Sequence, residues 1–156
     1  CEIRDTEPVQ NTAQAEANHP LSAPNVDGEG ISRGRIAFIE GFERGYEKAR
    51  AQQKPMLLFF TAAWCKYCHQ MAQEAFVQDG VIELSQNFVC VLVDADAEPQ
   101  VCRQFEVRGF PTIQFVSSQG TRLNRITGKQ PAHQLIAQMQ AALHALARRR
   151  ETTLQR

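Results

Sequence analysis

A chain of 156 residues, 43% of them hydrophobic, has enough apolar surface for one ordinary domain with a core and some tail, and is short for two. Lys plus Arg and Asp plus Glu both number 17, so no global field recruits nucleic acid or an acidic surface, and a local site must carry the function. No apolar run approaches the roughly 18 to 20 residues that a bilayer-spanning helix needs.

The chain opens at Cys1, followed by Glu2 and a stretch rich in Asn, Gln, Glu, Pro and Gly. This opening resembles a mature bacterial lipoprotein with its lipid on Cys1, and Glu2 resembles the second residue of lipoproteins sent on to the outer membrane. A fragment boundary that happens to fall on a cysteine is the alternative. Residues 1–34 have few large apolar side chains to offset the entropy of ordering, so they are expected to be a flexible tether. Its reach would be roughly 30 Å, at about 5 to 6 Å times the square root of its length. A folded domain is expected over residues 35–148, with a basic C-terminal tail over 149–156.

From Ile36 the spacing of Ile39, Phe42 and Tyr46, with Glu40, Glu43, Arg44, Glu47 and Lys48 on the other side, predicts a helix that ends before Lys54-Pro55. "MLLFF" (56–60) and "FVCVLV" (88–93) are unbroken apolar runs of strand length, which suit strands covered by helices on both faces. Between them a helix is expected from Cys65 to about Gln78, and after them a helix whose face carries Val101, Cys102 and Phe105. "TIQFV" (112–116) and "RLNRI" (122–126) alternate around Ser118-Gln119-Gly120 and read as a β-hairpin at one side of the sheet. Leu135, Ile136, Met139, Leu143 and Leu146 form the apolar stripe of a final helix, with Pro131 at its first turn. The expected order is helix, strand, helix, strand, helix, hairpin, helix, which is an α/β fold.

Within "TAAWCKYCHQM" (61–71) the pattern C-x-x-C-H admits three chemistries: a redox dithiol, a c-type haem attachment with His69 as axial ligand, or half of a metal site. Haem would want an apolar pocket with a distal ligand, usually in a helical chain. Zinc would want two more ligands, and Cys90 and Cys102 form no second C-x-x-C. No metal and no other cofactor is expected. As a dithiol the motif has a direct rationale. Cys65 would lie at a helix N-terminus, where free N–H groups and the dipole favour a thiolate, and Cys68 would come alongside one turn later as the resolving thiol. Lys66 either lowers the Cys65 pKa further or is a solvated surface lysine. His69 reads as a polar residue of the first helical turns, with tuning of Cys68 as the alternative. Cys90 and Cys102 read as small buried core residues, a second disulfide or a regulatory thiol pair being the other reading. The run Arg148-Arg149-Arg150 reads as a solvated helix end, with contact to anionic lipid as the alternative.

"WCKYC" after a buried strand, "VDADAEPQ" after the next and "RGFPT" opening the third resemble the thioredoxin superfamily, over about residues 36–147. The lead-in "YEKARAQQKPMLLFFTAAWC" is similar to its exported members. The resemblance implies a thioredoxin fold, a central mixed β-sheet flanked by helices on both faces. It also implies a cis Pro111 against the Cys65 sulfur, and a substrate surface made by Trp64, Tyr67, Phe110 and Pro111, with the Phe110 backbone offered to an extended peptide. The chain departs from many thioredoxins at Phe59, where they carry a buried Asp, and at Leu92, where a lysine often accompanies it. A narrower task than general reduction follows. The expected function is thiol–disulfide oxidoreduction, with reduction or isomerisation of protein disulfides through Cys65 and Cys68. A dithiol oxidase, or a non-catalytic module binding peptides or Cu(I), are the alternatives. Expected partners are proteins with disulfides or cysteines and an upstream redox partner, in the periplasm, with membrane attachment through a lipidated Cys1 and no nucleic acid.

Overall fold

The computed structural model describes residues 30–155. In chain order its elements are β1 (Gly30–Arg33), β2 (Ile36–Glu40), α1 (Phe42–Gln52), β3 (Met56–Thr61), α2 (Lys66–Glu74), α3 (Asp79–Ser85), β4 (Val89–Asp94), α4 (Pro99–Gln104), β5 (Thr112–Val116), β6 (Arg122–Thr127) and α5 (Ala132–Leu154). The strands make one six-stranded sheet in the order β1-β2-β4-β3-β5-β6. Strand β4 runs parallel to β2 and β3, while β1–β2, β3–β5 and β5–β6 pair antiparallel. The fold is thus the thioredoxin fold, with its mixed sheet between two helical layers.

The two apolar runs occupy the middle of the sheet because both of their faces are covered. Leu57, Phe59, Cys90 and Leu92 point into one core with Met71, Phe76, Val81, Leu135 and Met139 from α2 to α3 and α5. Met56, Leu58, Phe60, Val89, Val91 and Val93 point into the other, with Phe42 and Ala49 of α1 and Val101 and Cys102 of α4. Neighbouring residues on one strand therefore serve opposite helical layers, which is the period-two geometry of a pleated strand.

Five sequence expectations need correction. Ile36–Glu40 is a strand and not the start of a helix. Ile36 and Phe38 are buried while Ala37 and Glu40 are exposed, and Gly41, at φ 106°, breaks the chain before α1 begins at Phe42. The series Ile39, Phe42, Tyr46 straddles that break, so its helical spacing is accidental. Second, Gly30–Arg33, assigned to the tether, pairs with β2 as an edge strand, and the Arg35 N–H donates to the Phe76 carbonyl at 2.9 Å. Third, the segment from Cys65 to Gln78 is not one helix. Phe76, fully buried and edge-on to Phe59 at 5.0 Å, draws the chain into the core between α2 and α3. Fourth, α5 continues to Leu154, so Arg148, Arg149 and Arg150 lie within a helix and residues up to 154 of the expected tail are helical. Strand β5 is also buried throughout instead of alternating, being covered on both faces and flanked by β3 and β6. Its one amide, Gln114, is buried and donates to the Asn124 carbonyl at 3.0 Å.

Candidate redox site

Strand β3 ends at Thr61, and a tight turn over Ala62–Cys65 follows, closed by the Cys65 N–H donating to the Ala62 carbonyl at 3.0 Å. Cys65 is the N-cap residue of α2, and its sulfur accepts the Cys68 N–H at 3.1 Å. A cysteine takes here the capping role that Ser or Asp usually fills, so a helix N–H donor points at the sulfur. Cys65 and Cys68 are joined in a disulfide with Cα atoms 5.3 Å apart. The pair is recessed, Cys65 being 5% and Cys68 2% exposed.

Aromatic side chains flank it in the chain. Trp64 is 65% and Tyr67 57% exposed, unusual for rings of this size. Trp64 stands perpendicular to Phe110 with ring centroids 5.7 Å apart. Its indole N–H donates to the Asp96 carboxylate, at 3.1 Å to Oδ2. Asp96 is held in turn by its own N–H donating to Asp94 Oδ1 at 2.8 Å. The Phe110–Pro111 peptide bond is cis, and the Pro111 carbonyl accepts the Gly128 N–H at 2.8 Å. Lys66 is exposed at the start of α2. The first turn of α2 thus carries Lys66, Tyr67 and Cys68, while Trp64 and Phe110 meet beside it. Cys1 lies outside the described residues.

Three further residues tie this surface together. Asp96 orients Trp64, His69 Nε2 is 3.0 Å from the Ala63 carbonyl, and Lys129 joins α2 by an ion pair to Glu74 at 2.8 Å and a hydrogen bond to Gln70 at 3.0 Å. "VDADAE" and "CHQM" were visible as motifs, but which side chain reaches across a loop is a matter of tertiary geometry that spacing does not encode. Lys129 had no local signal at all.

Beneath the disulfide the sheet is apolar. Phe59 and Leu92 are register partners on β3 and β4, both buried, and Phe59 packs against Phe38 and Phe76. Among the described residues the other two cysteines, Cys90 and Cys102, are free and buried, one in each of the two cores. Burial pushes the Cys90 thiol up to about 12, only partly offset by Lys54. Burial and then the nearby Glu98 and Asp94 carboxylates push Cys102 up as well. Neither thiol is set up as a nucleophile, since the thiolate is the reactive form.

A disulfide of C-x-x-C spacing at a helix N-terminus, on this sheet, defines a class of protein: the thiol–disulfide oxidoreductases of thioredoxin fold. The profile of the family described as thioredoxin-like domain matches residues 42–143, and the chain belongs to that family. It is 33% identical to the thioredoxin-like protein slr0233 of Synechocystis over 67% of this chain and 97% of that protein. It is 27% identical to the thiol:disulfide interchange protein DsbD of Campylobacter jejuni over 66% of this chain but 19% of that much longer protein. A thioredoxin from Thermus thermophilus superposes with a TM-score of 0.60 at 23% identity, over 67% of this chain and 86% of that one. Among the described residues no helix is long and apolar enough to cross a membrane.

Proposed function

We propose that the protein reduces or isomerises disulfides in other proteins, with Cys65 as nucleophile and Cys68 as resolving thiol. In the reduced form the Cys65 thiolate attacks one sulfur of a substrate disulfide, forming a mixed disulfide and releasing the other substrate sulfur as a thiolate, which takes up a proton. The Cys68 thiolate then attacks the Cys65 sulfur, restores the Cys65–Cys68 disulfide and releases the second substrate thiol. Two electrons have passed to the substrate, and an upstream dithiol must return them. In isomerisation the released substrate thiolate attacks elsewhere, and Cys65 leaves unoxidised.

The observation that carries this reading is the pairing of a capped Cys65 sulfur with the exposed side chains of Trp64 and Tyr67 beside it. The helix amide favours thiolate at Cys65, while Trp64, Tyr67 and Phe110 offer apolar area and the Phe110-Pro111 backbone offers a strand-like edge to an extended peptide. Lys66 adds positive charge at the same end of the helix. The likeness to DsbD, a protein named for thiol–disulfide interchange, supports the reaction class, and the similarity of the lead-in "YEKARAQQKPMLLFFTAAWC" to exported thioredoxin-like proteins is what supports an exported, periplasm-facing setting.

The test of function is turnover. With a thiol reductant in excess, the protein should accelerate reduction of insulin disulfides, or recovery of activity by a scrambled ribonuclease, and Cys65→Ser should abolish both. Rates no higher than the reductant alone gives would overturn the proposal in favour of a binding module.

A further inference from the structure

We infer that His69 is a positioning residue for the nucleophile, a latch that holds the turn before Cys65 when the disulfide is open. The carbonyl of Ala63 has no proton to give, so at 3.0 Å it is His69 Nε2 that carries the hydrogen and donates. Ala63 and Trp64 are the two central residues of the Ala62–Cys65 turn. Trp64 is tied down through its indole by Asp96, and Ala63 through its carbonyl by His69. His69 is itself fixed to the first turn of α2, where its backbone N–H donates to the Cys65 carbonyl at 3.3 Å. The imidazole therefore spans from the active-site helix back to the turn that delivers Cys65.

The consequence depends on redox state. In the disulfide, a covalent bond already clamps Cys65 to Cys68. Once it is reduced, the Cys65 sulfur keeps its place against the Cys68 N–H only if the turn keeps its shape, and that contact is what favours the thiolate. The latch thus acts selectively on the reduced form. Its loss should weaken thiolate stabilisation, slow attack at neutral pH and make the couple more reducing.

This inference rests on the assignment of Cys65 as nucleophile, and its test is read on the thiol itself, independently of any substrate. In the reduced protein, the pH dependence of Cys65 alkylation by iodoacetamide gives its thiolate population directly. His69→Ala should lower the thiolate population at subsaturating pH by roughly threefold, the low end of a net hydrogen bond. Carried wholly by the reduced form, that shift moves the potential roughly 14 mV more negative, since tenfold is 29.6 mV for two electrons. His69→Gln supplies a neutral N–H donor at a similar reach and should restore the native values. Native alkylation by His69→Ala, or failure of His69→Gln to restore it, would overturn the latch. A protein that fails to turn over disulfides yet shows the shift and the rescue would retain the latch and lose the proposed function.

Discussion

The two cysteines differ in their surroundings by the hydrogen bond to the Cys65 sulfur and a few per cent of residue exposure, and the proposed chemistry amplifies that difference. The Cys65 sulfur caps a helix, whereas Cys68 is buried within its first turn. Replacing Cys68 with Ser should therefore accumulate mixed disulfides on Cys65, visible on non-reducing gels, and Cys65→Ser should accumulate none. Equal trapping by both variants would contradict the assignment. Cys90 yields a prediction about stability. Its folded pKa of about 12 lies above the value of 9.0 that an unburied thiol has. Above roughly pH 9 the unfolded chain loses that proton while the folded one keeps it, so the stabilisation is intact below this range and is lost as pH rises toward 12. Cys102, also raised, acts in the same direction. Urea unfolding between about pH 8 and 11 should show the native protein losing stability relative to Cys90→Ala, at up to about 1.4 kcal/mol per pH unit. A difference that stays constant with pH would refute the buried-thiol account.

Among the elements, α1 shows how closely one layer meets the sheet. A Cβ on Gly45 would collide with the methyl groups of Val91, so helix and β4 are in contact at that point with no room for a methyl. Gly45→Ala should cost about 1 to 3 kcal/mol of stability, an overpacking cost exceeding the usual gain of alanine in a helix. Because α1 covers the face opposite Cys65 and Cys68, dithiol reactivity per folded molecule should be unchanged, as alkylation kinetics beside a thermal melt would reveal. The same element shows what the sequence conceals. Its charged and apolar residues follow a helical period from Phe42 onward, and that much was legible. Its start was not, because nothing local says that Glu98 supplies an acceptor to the Phe42 N–H at 3.1 Å, or that Gly41 turns the chain out of a strand. The edge strand Gly30–Arg33 was illegible for a related reason, since it has too few apolar residues to announce itself and is defined by pairing with β2.

Across the whole molecule, the legible features were those repeated at several levels: two continuous apolar runs, a C-x-x-C motif at the junction of strand and helix, and a Phe-Pro before a third strand. Each is local, and together they define the sheet centre and the dithiol. What escaped was long-range: Asp96 reaching Trp64, His69 reaching Ala63, and Lys129 reaching α2 from 59 residues away. The apolar register pair Phe59–Leu92 was legible as residues, and the structure adds that it lies in the same core as both sulfurs. Two opposing influences then set the direction of electron flow. The helix N-terminus stabilises the Cys65 thiolate and makes the couple more oxidising, while apolar surroundings disfavour charge on the reduced sulfurs and make it more reducing. With neither dominant, the potential should fall between those of protein disulfide isomerase and thioredoxin, roughly −180 to −270 mV. Equilibration of the Cys65–Cys68 pair with glutathione buffers, followed by alkylation and separation of the two forms, measures it directly. A value in that range is the result expected of a reductase or isomerase, and one near about −120 mV, typical of a strong dithiol oxidant, would contradict it.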